Sequence, residues 1–198
     1  MHYHRTMRVI AGIYRSRLLI APAGATTRPT SDRLRETLFN ILAPRLPGSR
    51  FVDLYAGTGA AGLEAISRGA THVWFAENAP PAISALRANL AALNITSNFT
   101  LEDRGTGALL QRLTKLTNQI DIVFLDPPYQ AEQEYLGTLS FLGSVKGRAL
   151  LAPGALIVAE HATRSPLPER FGALIQTRTR KQGDASLTFY ELTPPREE

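Results

Sequence analysis

Asp126-Pro127-Pro128-Tyr129 is the stretch of this sequence best equipped for chemistry. It follows Ile120 to Leu125, an apolar run interrupted only by Asp121, which predicts a strand buried on both faces. The two prolines cannot donate to a sheet ladder and they lock φ, so the chain leaves the strand in a rigid, extended turn. An acid, a backbone carbonyl with no amide hydrogen beside it, and an aromatic ring then project from the strand's carboxyl end, where open α/β sheets bind ligands. An exocyclic amino group on a nucleobase is a poor nucleophile, because its lone pair is delocalised into the ring. If Asp126 and the Pro127 carbonyl each accept one of its hydrogens, the nitrogen is drawn toward sp3 geometry and the lone pair turns out of plane. Tyr129 can stack on the base, as aromatic side chains do with flipped or unpaired bases. An ordinary strand-to-helix turn uses the same residue types, and what precedes the motif decides between the two.

What precedes it is a glycine loop. Phe51-Val52-Asp53-Leu54-Tyr55 reads as a strand, and Ala56-Gly57-Thr58-Gly59-Ala60-Ala61-Gly62 follows at once. Glycines there let backbone approach a ligand with no Cβ in the way. Gly57, Gly59 and Gly62 also satisfy Gly-x-Gly-x-x-Gly, the dinucleotide fingerprint. Three features oppose that use: Asp53 would repel a pyrophosphate, Glu64 lies one turn inside the helix that would face it, and no second catalytic domain follows. The same acids suit S-adenosylmethionine, whose methionine end is zwitterionic and whose sulfonium is positive. Asp53 would reach the amino group, directly or through water. Glu77, 24 residues beyond Asp53, is placed to accept from both ribose hydroxyls. Asp103, ending a third strand, could accept from the adenine amino group.

These groups need a sheet to hold them, and the chain supplies a strict alternation. Strands are predicted at 51–55, 72–77, 99–102, 120–125 and 155–160. Helices are predicted at 63–68, 80–93, 107–116 and 132–150, the last broken near Gly143–Gly147. A closing hairpin spans 173–180 and 186–192, turning at Gln182-Gly183-Asp184. Such a pattern gives a Rossmann-like α/β fold: a mostly parallel sheet with helices on both faces and an antiparallel C-terminal hairpin. Ahead of it, residues 7–22 predict two short strands turning near Tyr14–Arg17, made basic by Arg8, Arg15 and Arg17, a candidate RNA contact. A helix at 31–42, capped by Thr30 or Ser31, carries Leu34, Leu38, Ile41 and Leu42 on one face. Arg28, Arg33 and Arg35 crowd its start, where cations oppose the macrodipole, and so favour an anionic partner there. Pairing with Asp32 and Glu36 is the alternative. We therefore expect an N-terminal extension, 1–47, on the RNA side and a transferase domain, 48–198.

Composition excludes several classes. The chain has 198 residues and no cysteine, so disulfides, thiolate catalysis and cysteine metal sites are ruled out together, and no metal site is expected. No apolar run approaches membrane-spanning length and residues 1–6 are polar, which predicts a cytoplasmic protein with no leader. Met7 is read as the natural start. A net charge of +5 and a pI near 9.9 are compatible with a nucleic-acid partner.

Asp53 through Ala70, with Asp126-Pro-Pro-Tyr129, resembles the class I methyltransferases that methylate amino groups. Arg28-Pro-Thr-Ser-Asp-Arg-Leu-Arg-Glu-Thr-Leu-Phe-Asn-Ile-Leu42 narrows the resemblance to the RsmD family, over Met7 to Leu192. That family methylates the N2 amino group of one guanine in small-subunit (16S) ribosomal RNA. The resemblance implies that Asp53, Tyr55, Gly57, Gly59, Glu77, Asp103 and Asp126 serve the cofactor. It implies that Asp126, Pro127 and Tyr129 hold the guanine, and that Thr30, Asp32, Arg33 and Arg35 lie on the RNA side. Asp103-Arg104-Gly105 departs from the usual Asp/Asn-Ala there, and Tyr55 and Thr58 stand where Phe and Ser are common. The implied substrate is 16S rRNA within an assembling small subunit, met by a monomer with no obligate protein partner. Competing readings are an adenine-N6 DNA methylase, which normally carries extra sequence for duplex DNA, and a glutamine methylase, whose related motif begins with Asn. A non-catalytic RNA-binding assembly factor of the same fold is a third.

Overall fold

The computed structural model describes residues 7–21, 32–115 and 119–193. The chain divides into two compact units, Met1–Thr106 and Gly107–Glu198.

In the first unit, helix α1 (Asp32–Leu42) buries Leu34, Leu38 and Leu42 of the predicted stripe, with Phe39 buried beside them while the expected Ile41 is only half-buried. Strand β1 (Arg50–Leu54), helix α2 (Ala60–Ser67), strand β2 (His72–Ala76), helix α3 (Pro80–Ala92) and strand β3 (Phe99–Glu102) follow. β1 pairs with β2 and β2 with β3, all parallel, so each link between strands is a helical crossover. Phe51, Leu54, Leu63, Phe75 and Leu86 have no exposed surface and form the core between sheet and helices. Each such side chain contributes about 1.5–3 kcal/mol by burial. The register sets Leu54 beside Ala76 and Ala76 beside Glu102, so the carboxyl ends of the three strands lie level. Pro80 and Pro81 open α3, where a missing amide hydrogen costs nothing.

α4 (Thr106–Leu113) begins at the last residue of the first unit, and in the second unit it leads to β4 (Ile120–Leu125), α5 (Glu132–Gly143), α6 (Val145–Arg148), β5 (Leu151–Ala162), β6 (Arg170–Phe171), β7 (Leu174–Gln182) and β8 (Ala185–Leu192). β4 and β5 are parallel, whereas β5–β8, β8–β7 and β7–β6 are antiparallel. The helix break predicted near Gly143–Gly147 falls at Ser144, which caps α6 through its hydroxyl. A Cβ on Gly143 would lie 1.8 Å from the Phe171 carbonyl oxygen, so only glycine lets the chain pass there. Beyond its pairing with two-residue β6, β7 is an edge. Arg178, Arg180 and Lys181 stand exposed on it, charges that discourage pairing with another chain.

Several expectations change. The N-terminal segment forms one antiparallel bridge, Arg8 with Leu18, around a turn at 13–16, in place of two strands. β1 stops at Leu54, because Tyr55 takes a positive φ of 66° and turns the chain out of the sheet. α2 begins at Ala60, a turn earlier than predicted, because Gly59 in the left-handed region serves as its N-cap. β5 runs from Leu151 to Ala162, longer than the periodicity shows, since its ends pair with Ile120 and Ala185. Among the described residues no helix is long and apolar enough to cross a membrane, and no group of acids and histidines could hold a metal ion. Arg28, Thr30 and Ser31 lie outside the described residues.

Candidate active site

The loop after β1 is built from left-handed residues: Tyr55, Gly57 and Gly59 have φ of 66°, 57° and 80°. Its three glycines do different work. A Cβ on Gly59 would sit 2.2 Å from the Leu86 Cδ1, and one on Gly62 would sit 2.1 Å from the Phe75 ring. Those two positions are glycine for packing. Gly57 alone of the three has open space where its Cβ would be, so the loop presents bare backbone there.

Two carboxylates stand under this loop. Asp53, 1% exposed, accepts from the Gly62 amide at 2.8 Å. Gly62 is in the first turn of α2, whose cap Gly59 has no side chain to offer, so Asp53 satisfies a helix-end donor from the strand. Burial pushes the Asp53 carboxyl up to about 7. The Gly62 hydrogen bond pulls it down and the Glu77 charge pushes it up further. Glu77 Oε2 accepts from the Gly57 amide at 2.7 Å, and its Oε1 accepts from the amides of Asn78 and Ala79 at 2.8 and 2.9 Å. A costly buried acid, a second acid beside it and an open glycine form a set that fits the ammonium group and the ribose hydroxyls of S-adenosylmethionine. Asp103 is exposed and its carboxylate pairs with Arg87 at 3.2 Å. Tyr55 is half-buried.

In the second unit, Asp126 and Tyr129 are partly exposed and Pro127 is buried. The Tyr129 hydroxyl donates to Glu160 Oε1 at 3.3 Å. The Pro127 carbonyl accepts from the Tyr135 hydroxyl at 3.0 Å, and the same hydroxyl lies 2.9 Å from the Glu160 carbonyl. The turn closes with the Ala131 amide donating to the Pro128 carbonyl at 2.7 Å.

Of the residues expected to meet RNA, Arg8, Arg15, Arg17 and Arg33 are exposed. Asp32 is exposed and pairs with Arg35 at 2.9 Å. Arg35 is a correction: it is 1% exposed, with Nη2 donating to the Arg8 carbonyl and to Asp32. Burial lowers its pKa, against the pull of Asp32 and Glu64. A guanidinium so enclosed ties α1 to the N-terminal segment and is not presented to solvent.

Sequence reasoning passed over three residues, Asn89, Tyr135 and Glu160, and read Glu64 only as an acid near the loop, without its partners. Glu64, fully buried, accepts from the amides of Ile10 and Ala11 at 2.7 and 3.0 Å and from Arg68 Nε at 2.6 Å. Asn89 clasps Ile20 through its amide and carbonyl, at 2.6 and 3.1 Å, and donates to the Thr58 carbonyl at 3.0 Å. Tyr135 and Glu160 support the 126–129 turn. The available signal was a polar residue within a largely apolar element, at Asn89 and Glu160, which tells of a partner without naming it.

The family model described as conserved hypothetical protein 95 matches residues 7–191. YlbH of Bacillus subtilis (strain 168), a protein named for rRNA methyltransfer, is 36% identical over 185 residues, covering 93% of this chain and 98% of its own. Ribosomal RNA small subunit methyltransferase D of Haemophilus influenzae is 37% identical over 192 residues, 93% of each chain. The solved structure of yhhF from Escherichia coli superposes with a TM-score of 0.79 at 32% identity, over 94% of this chain and 98% of that one. The fold is that of the class I methyltransferases.

Proposed function

The chain belongs to the RsmD family, whose model bears the description conserved hypothetical protein 95, and from that premise we propose that it methylates the N2 amino group of a guanine in small-subunit ribosomal RNA. The observation that carries this reading is the Asp126–Tyr129 turn at the end of β4, with its acid and its aromatic ring both partly open to solvent. The name of the Haemophilus influenzae relative, Ribosomal RNA small subunit methyltransferase D, supports the substrate class. S-adenosylmethionine, when bound, supplies an electrophilic methyl group on its sulfonium.

The protein's part is chiefly positioning. Asp126 and the Pro127 carbonyl each accept one hydrogen of the amino group, and the Tyr129 ring stacks on the base. The freed lone pair then points along the line of transfer. No strong base is required, because the nitrogen gives up a proton readily once it carries the methyl group, and Asp126 is placed to accept it. Glu77 takes the ribose hydroxyls, Asp53 and the Gly57 backbone face the methionine end, and Asp103 and Tyr55 complete the cofactor set. Residues 1–47 face the RNA, with Arg8, Arg15, Arg17 and Arg33 on phosphates, and residues 48–198 perform the transfer. Phosphate contacts of this kind give affinity without sequence information, so the target is selected by the fold of the rRNA in an assembling particle.

The test is transfer of labelled methyl to small subunits from cells lacking this protein, with Asp126→Ala in parallel and nucleoside analysis of the product. N2-methylguanosine that disappears with the variant supports the reading. Label appearing as N6-methyladenine in DNA, or on glutamine in a protein, replaces it with a competitor. Cofactor binding with no transfer anywhere favours the assembly-factor alternative.

A further inference from the structure

The two prolines stiffen the 126–129 turn internally but leave it free to swing as a body about its ends. Two tyrosine hydroxyls close off that freedom, and both lead to one residue, Glu160. Tyr135, in the first turn of α5, is 3% exposed; its hydroxyl lies 3.0 Å from the Pro127 carbonyl and 2.9 Å from the Glu160 carbonyl. Tyr129, at the other end of the turn, reaches Glu160 Oε1 at 3.3 Å. Glu160 is itself 3% exposed and stands inside β5, where it pairs with Leu187 of β8. The anchor is therefore a residue of the sheet, not of a loop.

A carbonyl oxygen has two lone pairs and a phenol one proton. Tyr135 occupies one acceptor position of Pro127 and leaves the other for an incoming N–H. Its single proton is shared between two carbonyls. When the Pro127 oxygen takes an amino hydrogen and its acceptor strength is drawn upon, the phenol proton can turn to the Glu160 carbonyl, and the turn stays tied to β5 throughout.

We propose that Tyr135 and Glu160 are positioning residues for capture of the amino group: Tyr135 sets the Pro127 carbonyl and Glu160 sets the ring of Tyr129. The identity of the captured group rests on the guanine-N2 reading; the anchoring rests on these hydrogen bonds alone. A misplacement near 1 Å at a reacting group costs about a hundredfold in rate, so loss of the phenol bears on turnover before it bears on folding.

The experiment compares the full-length protein with Tyr135→Phe and with Leu139→Val. Leu139 is fully buried on the same helix and its truncation loosens α5 without removing a hydrogen bond. Tyr135→Phe is expected to lower kcat on small subunits by about ten- to a hundredfold with cofactor Kd held within about twofold. Amide hydrogen exchange is expected to quicken at Ala131 and Glu134 and to stay unchanged through α2 and β2. Leu139→Val is expected to lower Tm while kcat holds. A Tyr135→Phe enzyme with wild-type kcat, or exchange unchanged at Ala131 and Glu134, overturns the proposal. So does an equal fall in kcat for Leu139→Val at matched Tm. If the wild-type protein itself transfers no methyl group to guanine, the functional reading fails, while the exchange measurement still decides the anchoring.

Discussion

Asp53 carries a penalty that a cation can relieve. Its carboxyl titrates near 7 in the folded protein, against 3.8 for an aspartate free in water. An acid with a raised folded pKa takes up a proton on folding, so its contribution to stability is best below 3.8 and declines as pH rises to about 7, then stays flat. Thermal melts across that window should show the decline in the wild type and a flatter profile in Asp53→Asn. The ammonium group of the methionine end prefers the ionised form. Cofactor affinity measured by calorimetry should therefore tighten as pH rises toward 7 and level off above it, and Asp53→Asn should bind weakly with no such slope. The loop glycines separate in the same way. Gly62→Ala must displace the Phe75 ring and should cost about 1–3 kcal/mol of stability by overpacking. Gly57→Ala meets no protein atom and should cost only about 1 kcal/mol from its left-handed backbone. Its effect should fall on cofactor Kd, because the added methyl group fills the open face.

At the scale of elements, the N-terminal segment is an attachment made by polar side chains of α2 and α3. Glu64, Ser67 and Asn89 satisfy its backbone: Ser67 Oγ accepts from the Tyr14 amide at 3.0 Å, and the Ser67 carbonyl accepts from Ile13 at 2.9 Å. Gly12 lies against that carbonyl, where a Cβ would come within 1.9 Å, and its φ is 83°. Glu64→Ala strips the partners from the Ile10 and Ala11 amides and from Arg68. Removing one side of such a buried charged network costs about 3–5 kcal/mol, divided here between global stability and local release. Limited proteolysis should cut Glu64→Ala and Gly12→Ala within residues 8–20 well before the wild type. Cofactor affinity in Gly12→Ala should be nearly unaltered, since β1 and the glycine loop do not contain the lesion. Resistance of residues 8–20 to protease in both variants would refute the attachment.

For the whole molecule the decisive property is where the excess positive charge sits. Arg8, Arg15, Arg17 and Arg33 are exposed cations at the N-terminal end. Each that meets a phosphate should lower the slope of log affinity against log salt by about 0.7–0.9 when replaced by alanine. KM for subunits should rise with kcat unchanged. Arg35→Ala should behave otherwise, lowering Tm and leaving the salt slope alone, because its guanidinium is enclosed. That contrast marks what a sequence can carry. Period and turn chemistry are local, so the strand–helix alternation, the glycine loop, the proline turn and the helix break at Ser144 were all legible in the residues. The family was legible too, because Arg28 to Leu42 and Asp126 to Tyr129 are contiguous strings. Side-chain partners across 50 or more positions were not, as with Glu64 and Ile10, separated by 54 residues. Arg33 and Arg35 read alike in one dimension, and only the packing of α1 decided that one is solvent-exposed and the other is in the core. Glu160 drew no attention as the last residue of the strand predicted at 155–160, until the sheet register and the two tyrosines gave it partners. The sequence by itself determined which elements form and what chemistry they carry, since those depend on near neighbours. The tertiary structure decided which polar groups are free for a ligand and which are spent on the fold, because burial is a property of the assembled chain.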